Sequence, residues 1–418
     1  MNHDDMSDEL NRTLRAHTAG IDGSSISLGE VKGRATQIRR RRAAAGSMAA
    51  AAAVAILVPT AMAGSDLFSN ASRDELPPAT QHTQDPAPTP ADGLDIAGLP
   101  RGAEPGIAWV ESGTLHHDGR EIPLPEGAGS VATLADEYVV STRNAVVVLD
   151  AEGRVITTEQ AAEHTGLAVN AAGTAAAWMG PDNAPVVWQA GFREALHFDG
   201  LPTPQEEGGS HLPPGPWHDP QAVGLTGEDC TTDAETRVGA GCVVVFTASN
   251  DRTDVQGFVS DTQGIVDVAS STLQAITAVS AERRMAGITE ITDDGTCSAV
   301  IGEADSVAWS TCDHRLGAFS PDGSLLTGPQ AYGSGIGDGE VAILSASDGE
   351  VLVSLDNRES QSFVARTAWE DDEHVLAEVF QAGRWAIVRI GLDGSMEYAV
   401  GPVPGNEMED PFQLAVGP

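Results

Sequence analysis

Residues 315–329 and 340–355 read RLGAFSPDGSLLTGP and EVAILSASDGEVLVSL. Four short apolar runs are set apart by turns: Ser320-Pro321-Asp322-Gly323 after the first and Asp348-Gly349 between the third and fourth. Runs of four to six aliphatic and β-branched residues between Gly, Pro and Asp are too short for helices and read as antiparallel strands. The same unit recurs along the chain. Upstream it appears as VATLA, EYVVST, AVVVLD, RVIT within 130–159, then as GLAVN, TAAAWM, PVVWQ, REALHF. Two more follow: QAVGLTG, CVVVFTAS, QGFVSD, IVDVA, and ITAVS, MAGITEI, CSAVIGE, SVAWSTC. Downstream lie ARTAWEDDEHVLAEVF and RWAIVRIGLDGSMEYAV.

Ahead of these six units stands an incomplete one, IAWV, TLHH, REIPLP, which lacks a first strand. The chain ends with FQLAV (412–416), which resembles the first strand of the other units. A circular array leaves unpaired strand edges unless its ends meet. The spacing therefore predicts seven blades over 106–418, about 45 residues each, with the C-terminal strand completing the first.

The 315–355 stretch resembles a WD40-like or TolB-type propeller repeat, through its Ser-Pro-Asp-Gly turn and Asp-Gly hairpin. The Trp-Asp dipeptide of true WD40 repeats is absent. The layout as a whole resembles single-pass actinobacterial membrane proteins with a short basic tail and an outer propeller. That resemblance implies location and fold and no activity. The expected class is all-β: a seven-bladed β-propeller preceded by one transmembrane helix and a short cytoplasmic tail.

N-terminal to the repeats, 64–105 reads as a Pro-rich linker, stiffened by prolines from Pro77 to Pro105. Before it, Ala43–Ala63 carries no charge over 21 residues, which as a helix spans about 31 Å, one hydrocarbon core. Arg39, Arg40, Arg41 and Arg42 abut its N-terminal end. The positive-inside rule then places 1–42 in the cytoplasm and everything after the span outside. A secreted form cleaved after Ala63, at Ala61-Met62-Ala63, is the rival reading. Within the tail, Ser7 and the Ser27–Glu30 capping box would open two short helices. They read as a solvated juxtamembrane segment, with docking of a cytoplasmic partner as the sharper alternative.

The 418-residue chain has a formal net charge of −38. Residues 1–64 hold 8 of its 23 basic and 6 of its 61 acidic side chains, so 65–418 carries about −40. Such a surface repels nucleic acid. Four cysteines, Cys230, Cys242, Cys297 and Cys312, lie outside the span and read as two disulfides, with sequential pairing favoured over the other two connectivities. Cys297 and Cys312 have numbers summing to 609, as do Glu303 and Ser306, so a hairpin turning at 303–306 sets them opposite one another. No zinc spacing, nucleophile elbow, phosphate loop or dinucleotide fingerprint is present, so no cofactor is implied.

Three features are candidates for chemistry. Adjacent His116 and His117 point to opposite faces of a strand, which argues against one shared ion. Glu370–Glu373 lacks the alternating spacing of a calcium loop and reads as a solvated turn. Trp109, Trp178, Trp188, Trp309, Trp369 and Trp385 recur within units and should pack between blades. Trp217, in the insertion 208–220, is the candidate for an exposed contact. The expected role is non-catalytic binding of an extracytoplasmic protein, peptide or glycan. An enzyme with acidic residues converging on the central channel, and signalling through the tail, are the alternatives.

Overall fold

In each repeat the turn residues fold the apolar runs back on one another. At Ser320–Gly323 the Gly323 N–H donates to Ser320 O at 2.8 Å, and Asp322 Oδ1 accepts from the N–H of Ser324 at 2.9 Å. Gly323 has φ +72°, which glycine adopts freely. The corresponding turn at Ser280–Arg283 places a non-glycine, Arg283, at φ +63°.

The structure, a computed structural model, describes residues 93–418 apart from His164, 202–216, Asp229, 231–240, 251–254, Gln263, 293–294, 333–336 and Pro418. The expected tail, Arg39–Arg42, the apolar run Ala43–Ala63 and linker residues 64–92 lie outside the described residues. Among the described residues no helix is long and apolar enough to cross a membrane.

The described strands form seven antiparallel sheets. Blade 1 holds Trp109–Glu111, Thr114–His117 and Arg120–Pro123, and blades 2 to 7 follow at 131–160, 168–197, 217–268, 275–311, 325–356 and 363–404. Seven apolar clusters hold them together, one at each junction from blades 1–2 round to blades 7–1. The ring is therefore closed. This layering explains the sequence pattern. Middle strands are covered on both faces, and Glu340–Ser345 and Arg384–Gly391 are buried along almost their whole length. The outermost strand of blade 2, Val155–Gln160, is largely exposed, leaving Val155 61% accessible.

Closure follows the sequence expectation. Phe412–Leu414 pairs with Trp109–Glu111 as the inner strand of blade 1, in the register Trp109↔Leu414 and Glu111↔Phe412. The chain then continues to blade 2, where the Val416 N–H donates to Val131 O at 2.7 Å. Phe412 and Leu414 are 4% and 2% exposed, against Trp109, Leu376 and Trp385.

Blade 6 differs from its repeat. Its expected first strand, LGAF, joins through the isolated bridges His314↔Gln330 and Phe319↔Leu326, leaving a three-stranded sheet. Pro329, facing this strand, accepts from the Arg315 N–H at 2.9 Å but has no N–H to return.

Both disulfides form as the sequence pairing favoured, Cys230–Cys242 and Cys297–Cys312, with Cα atoms 4.7 and 4.0 Å apart. The second extends the ladder Ser298↔Thr311, Ala299↔Ser310, and its hairpin turns at Glu303–Asp305. Loops of 12 and 15 residues give each a stabilisation of about 3 kcal/mol by the chain-entropy account.

Residues 93–105, expected as the end of the linker, are docked on blades 6 and 7. Leu94 and Ile96 are 0% and 3% exposed in the cluster between those blades. Gly102 N–H donates to Tyr398 O and Tyr398 N–H to Pro100 O, which adds a short parallel bridge at the outer edge of blade 7. Arg389 clamps the end of the strap: it donates to the carbonyls of Ala103 and Glu104 and pairs with Glu370 and Glu397. The propeller, with 13 basic and 48 acidic side chains over 106–418, thus keeps one of its few arginines 12% exposed between two acids. The strap also covers an edge strand that would otherwise be open to pairing.

Candidate functional site

The inner strands of a propeller surround its channel, and the segments entering them line one mouth. Here that mouth carries a cleft of about 610 Å³. Its walls come from four consecutive blades: Arg366 of blade 7, Asp410 and Gln413 of blade 1, Ser130 and Ser141–Arg143 of blade 2, and Thr165 before blade 3. A second cavity of about 710 Å³ adjoins it and shares Gly127, Asp410, Phe412 and Gln413.

Glycine and hydroxyl chemistry shape the blade 2 wall. Gly129 N–H donates to Ser141 O at 2.7 Å, and Ser130 N–H donates to Ser141 Oγ at 2.7 Å. A Cβ at Gly129 would approach Ser141 Oγ to 3.2 Å, so that hydroxyl would have to give by a few tenths of an ångström. Arg143 at the rim pairs with Glu163 at 2.7 Å, both largely exposed, so that pair contributes little.

The opposite wall holds a buried acid. Glu378 lies in the second strand of blade 7, directly across the ladder from Arg366. Its side chain has no exposed surface. Arg366 Nη1 donates to Glu378 Oε1 and Oε2 at 3.3 and 3.4 Å, and the Leu414 N–H of the closing strand donates to Oε1 at 2.5 Å. Asp410, whose Oδ1 accepts from the Phe412 N–H at 2.9 Å, brings a second carboxyl. Burial pushes the Glu378 carboxyl up to about 8; Arg366 opposes that shift, and hydrogen bonding and charge from Asp410 reinforce it. At neutral pH Glu378 holds a proton and bridges blade 7 to the closing strand. Arg366 lines the cleft and keeps about half its side chain exposed.

The residues singled out in the sequence lie elsewhere. His116 stacks on Trp109 with ring centroids 4.2 Å apart, while His117 Nδ1 meets the Tyr138 hydroxyl at 3.0 Å. The two imidazoles face different neighbours, as strand alternation requires. The acidic run 370–373 is not uniformly solvated: Glu370 is 8% exposed on Arg389, and Asp371 meets His374 Nδ1 at 2.9 Å. Burial raises the Asp371 carboxyl, but hydrogen bonds from Glu373 and His374 outweigh this and hold it below the usual carboxylate range.

Tryptophans pack between blades as expected, and several indole N–H groups donate across a junction. Trp188 of blade 3 reaches Glu137 of blade 2 at 2.7 Å, Trp309 of blade 5 reaches Ala346 O at 3.0 Å, and Trp369 of blade 7 reaches Ala318 O at 3.0 Å. Trp217 corrects the expectation of an exposed contact. It opens the inner strand of blade 4 and packs edge-on against Phe258, centroids 5.1 Å apart. Residues 202–216 of its insertion lie outside the described residues.

Glu378 and Arg366 escaped the sequence reading. Their signal was an acid within HVLAEVFQ, a second-strand run buried on both faces, where an acid must have a partner.

No protein-family model matches the chain, and no curated protein matches it. Among solved structures it is similar to the β-propeller domain of Cps50 (Swd1) from Myceliophteria thermophila, at 11% identity over 71% of this chain and 90% of that one, TM-score 0.44. YCF48 bound to D1 peptide matches at 12% identity over 72% and 87%, TM-score 0.41. The eukaryotic initiation factor matches at 10% over 73% and 87%, TM-score 0.40. The seven-bladed assignment stands on this chain's own sheet order and seven inter-blade clusters.

Proposed function

We propose that this chain is a single-pass membrane protein whose propeller lies outside the cytoplasm and binds a protein or peptide at the cleft between blades 7, 1, 2 and 3. Its parts are then a cytoplasmic tail (1–42), a transmembrane helix (43–63), a linker (64–105) whose last residues, 93–105, dock on blades 6 and 7, and the propeller (106–418). Arg39–Arg42 beside Ala43–Ala63 support the orientation, and two disulfides suit an oxidising compartment. The layout resembles that of actinobacterial single-pass proteins with an outer propeller.

The observation that carries the binding role is the cleft itself: about 610 Å³, within the range of ligand sites, with hydroxyl, amide and guanidinium groups from four blades. Its one aromatic lining residue, Phe412, is 4% exposed, so the wall offers no stacking face for a sugar ring. A peptide ligand fits this better than a glycan. Glu378 and Asp410 form the carboxyl pair that an enzyme reading requires at the channel mouth. Glu378 has no exposed surface from which to pass a proton to a ligand, which favours binding over catalysis.

Two measurements test this reading. Reporter fusions after Arg42 and after Pro418 should be active in the cytoplasm and outside it, respectively; a cytoplasmic signal from the C-terminal fusion overturns the orientation. Full-length chain in detergent should be retained by spots of a random heptapeptide array in a sequence-dependent way. Ser130→Trp, which fills the cleft, should reduce retention at least about tenfold, or about 1.4 kcal/mol, with an unchanged melting temperature. Equal retention by both proteins would place binding elsewhere.

A further inference from the structure

We infer that the cleft recognises a carboxylate on its peptide ligand, with the Arg366 guanidinium as the recognising group; this rests on the peptide-binding reading above. Arg366 is held at one edge by Glu378, at 3.3 and 3.4 Å, lines the cleft, and leaves about half its side chain exposed. A guanidinium offers five N–H donors in a planar fork, so engagement through Nη1 leaves donors to turn outward. That fork matches a planar carboxylate with two parallel hydrogen bonds. Ser130, Ser141 and Gln413 line the same cleft with hydroxyl and amide groups. The surroundings decide between anions. Asp410 lies on the cleft wall and the propeller, 106–418, carries about −35, so a doubly charged phosphate meets more repulsion than a carboxylate does.

The buried acid makes this site proton-dependent. Among the described residues, the charged groups acting on Glu378 are Arg366 from the inner strand of its own blade and Asp410 from the closing segment. While Glu378 holds its proton, the positive charge of Arg366 is free to meet a ligand anion. When Glu378 ionises, a second carboxylate sits against the same guanidinium and competes with the ligand. Carboxylate binding and the Glu378 proton therefore favour one another, as linkage requires.

The probes are random heptapeptides in three formats, read with full-length protein. One has a free C-terminus and no Asp or Glu, one has a C-terminal amide and no Asp or Glu, and one has a C-terminal amide with a single Asp or Glu. Retention should appear in the first or third format, which separates a terminal from a side-chain carboxylate, and should be at least about tenfold weaker in the second. Arg366→Gln should lose that preference. Arg366→Lys, which keeps a charge beside Glu378 and guards against misfolding, should weaken binding by a smaller factor. Raising the pH from 6.5 to 9 should weaken wild-type retention several-fold and leave Glu378→Gln nearly unchanged. Equal retention of all three formats, lost on Ser130→Trp, overturns the carboxylate inference and leaves the peptide-binding function standing. Retention of no format overturns both.

Discussion

A chain ending at Asp410 should melt on the order of 10 °C below the full-length protein and aggregate on heating. The truncation removes Phe412 and Leu414, each almost fully buried between blades 7 and 1. Burying side chains of this size stabilises by roughly 1.5–3 kcal/mol each. Their joint loss is a large part of a typical net stability of about 5–15 kcal/mol. The damage extends beyond the missing residues. Trp109–Glu111 loses its ladder partner and becomes an open edge, while Trp109, Leu376 and Trp385 are uncovered. Glu378 also loses the Leu414 N–H. A chain beginning at Gly64 should melt like the parent, because the docked strap 93–105 stays in place. A 1–410 chain with an unchanged melting temperature would show that the inner strand of blade 1 does not carry closure.

The second large effect is a pH dependence that belongs to one residue. The carboxyl of Glu378 stands at about 8 in the folded protein against 4.5 for the ordinary group. Between those values the folded chain holds a proton that the unfolded chain has released. Stability from this group is therefore fully present below pH 4.5 and is lost as pH rises through 8. The full difference corresponds to up to about 5 kcal/mol at 1.36 kcal/mol per pH unit. Glu378→Gln has the shape of the protonated acid: its carbonyl can accept from Leu414 N–H and its amide can donate to Asp410. Denaturant titrations at pH 5 and pH 8.5 should find the two proteins similar at the lower pH. At the higher pH the variant should be more stable by several kcal/mol. Asp95, Asp322 and Asp356 are held below the usual carboxylate range by hydrogen bonds, so their contributions change only at lower pH, outside this window. Parallel pH profiles for the two proteins would show that Glu378 does not carry the proton.

Both effects arise at the seam where the ring closes, and the two halves of that seam were unequally legible. FQLAV could be matched to the missing first strand of IAWV-TLHH-REIPLP because each blade repeats the same apolar alternation. A strand without a partner in one unit and a spare strand at the other end have one physically sensible solution. The Cys297–Cys312 pairing was legible for a similar reason: a hairpin fixes register by addition, and the observed ladder keeps the sum of 609 up to Val300↔Trp309.

The sequence by itself determined what is written locally or repeated from unit to unit: turns, blade number, hairpin register and, through the repeat, the strand that closes the ring. These follow from period-2 sterics and local turn chemistry, which act over a few residues. The tertiary structure alone decided what depends on blades meeting. In the sequence, Glu378 is one of 61 acidic side chains; only the stacking of blade 7 against the closing strand desolvates it and sets Asp410 beside it. Residues 93–105 look like linker because their prolines argue against regular structure, yet Leu94 and Ile96 find a cleft between blades 6 and 7. Trp217 looked exposed among prolines and glycines, and packing against Phe258 half-buries it. Burial is a property of surfaces brought together from distant parts of a chain, and the pattern along one strand does not encode which surface covers it.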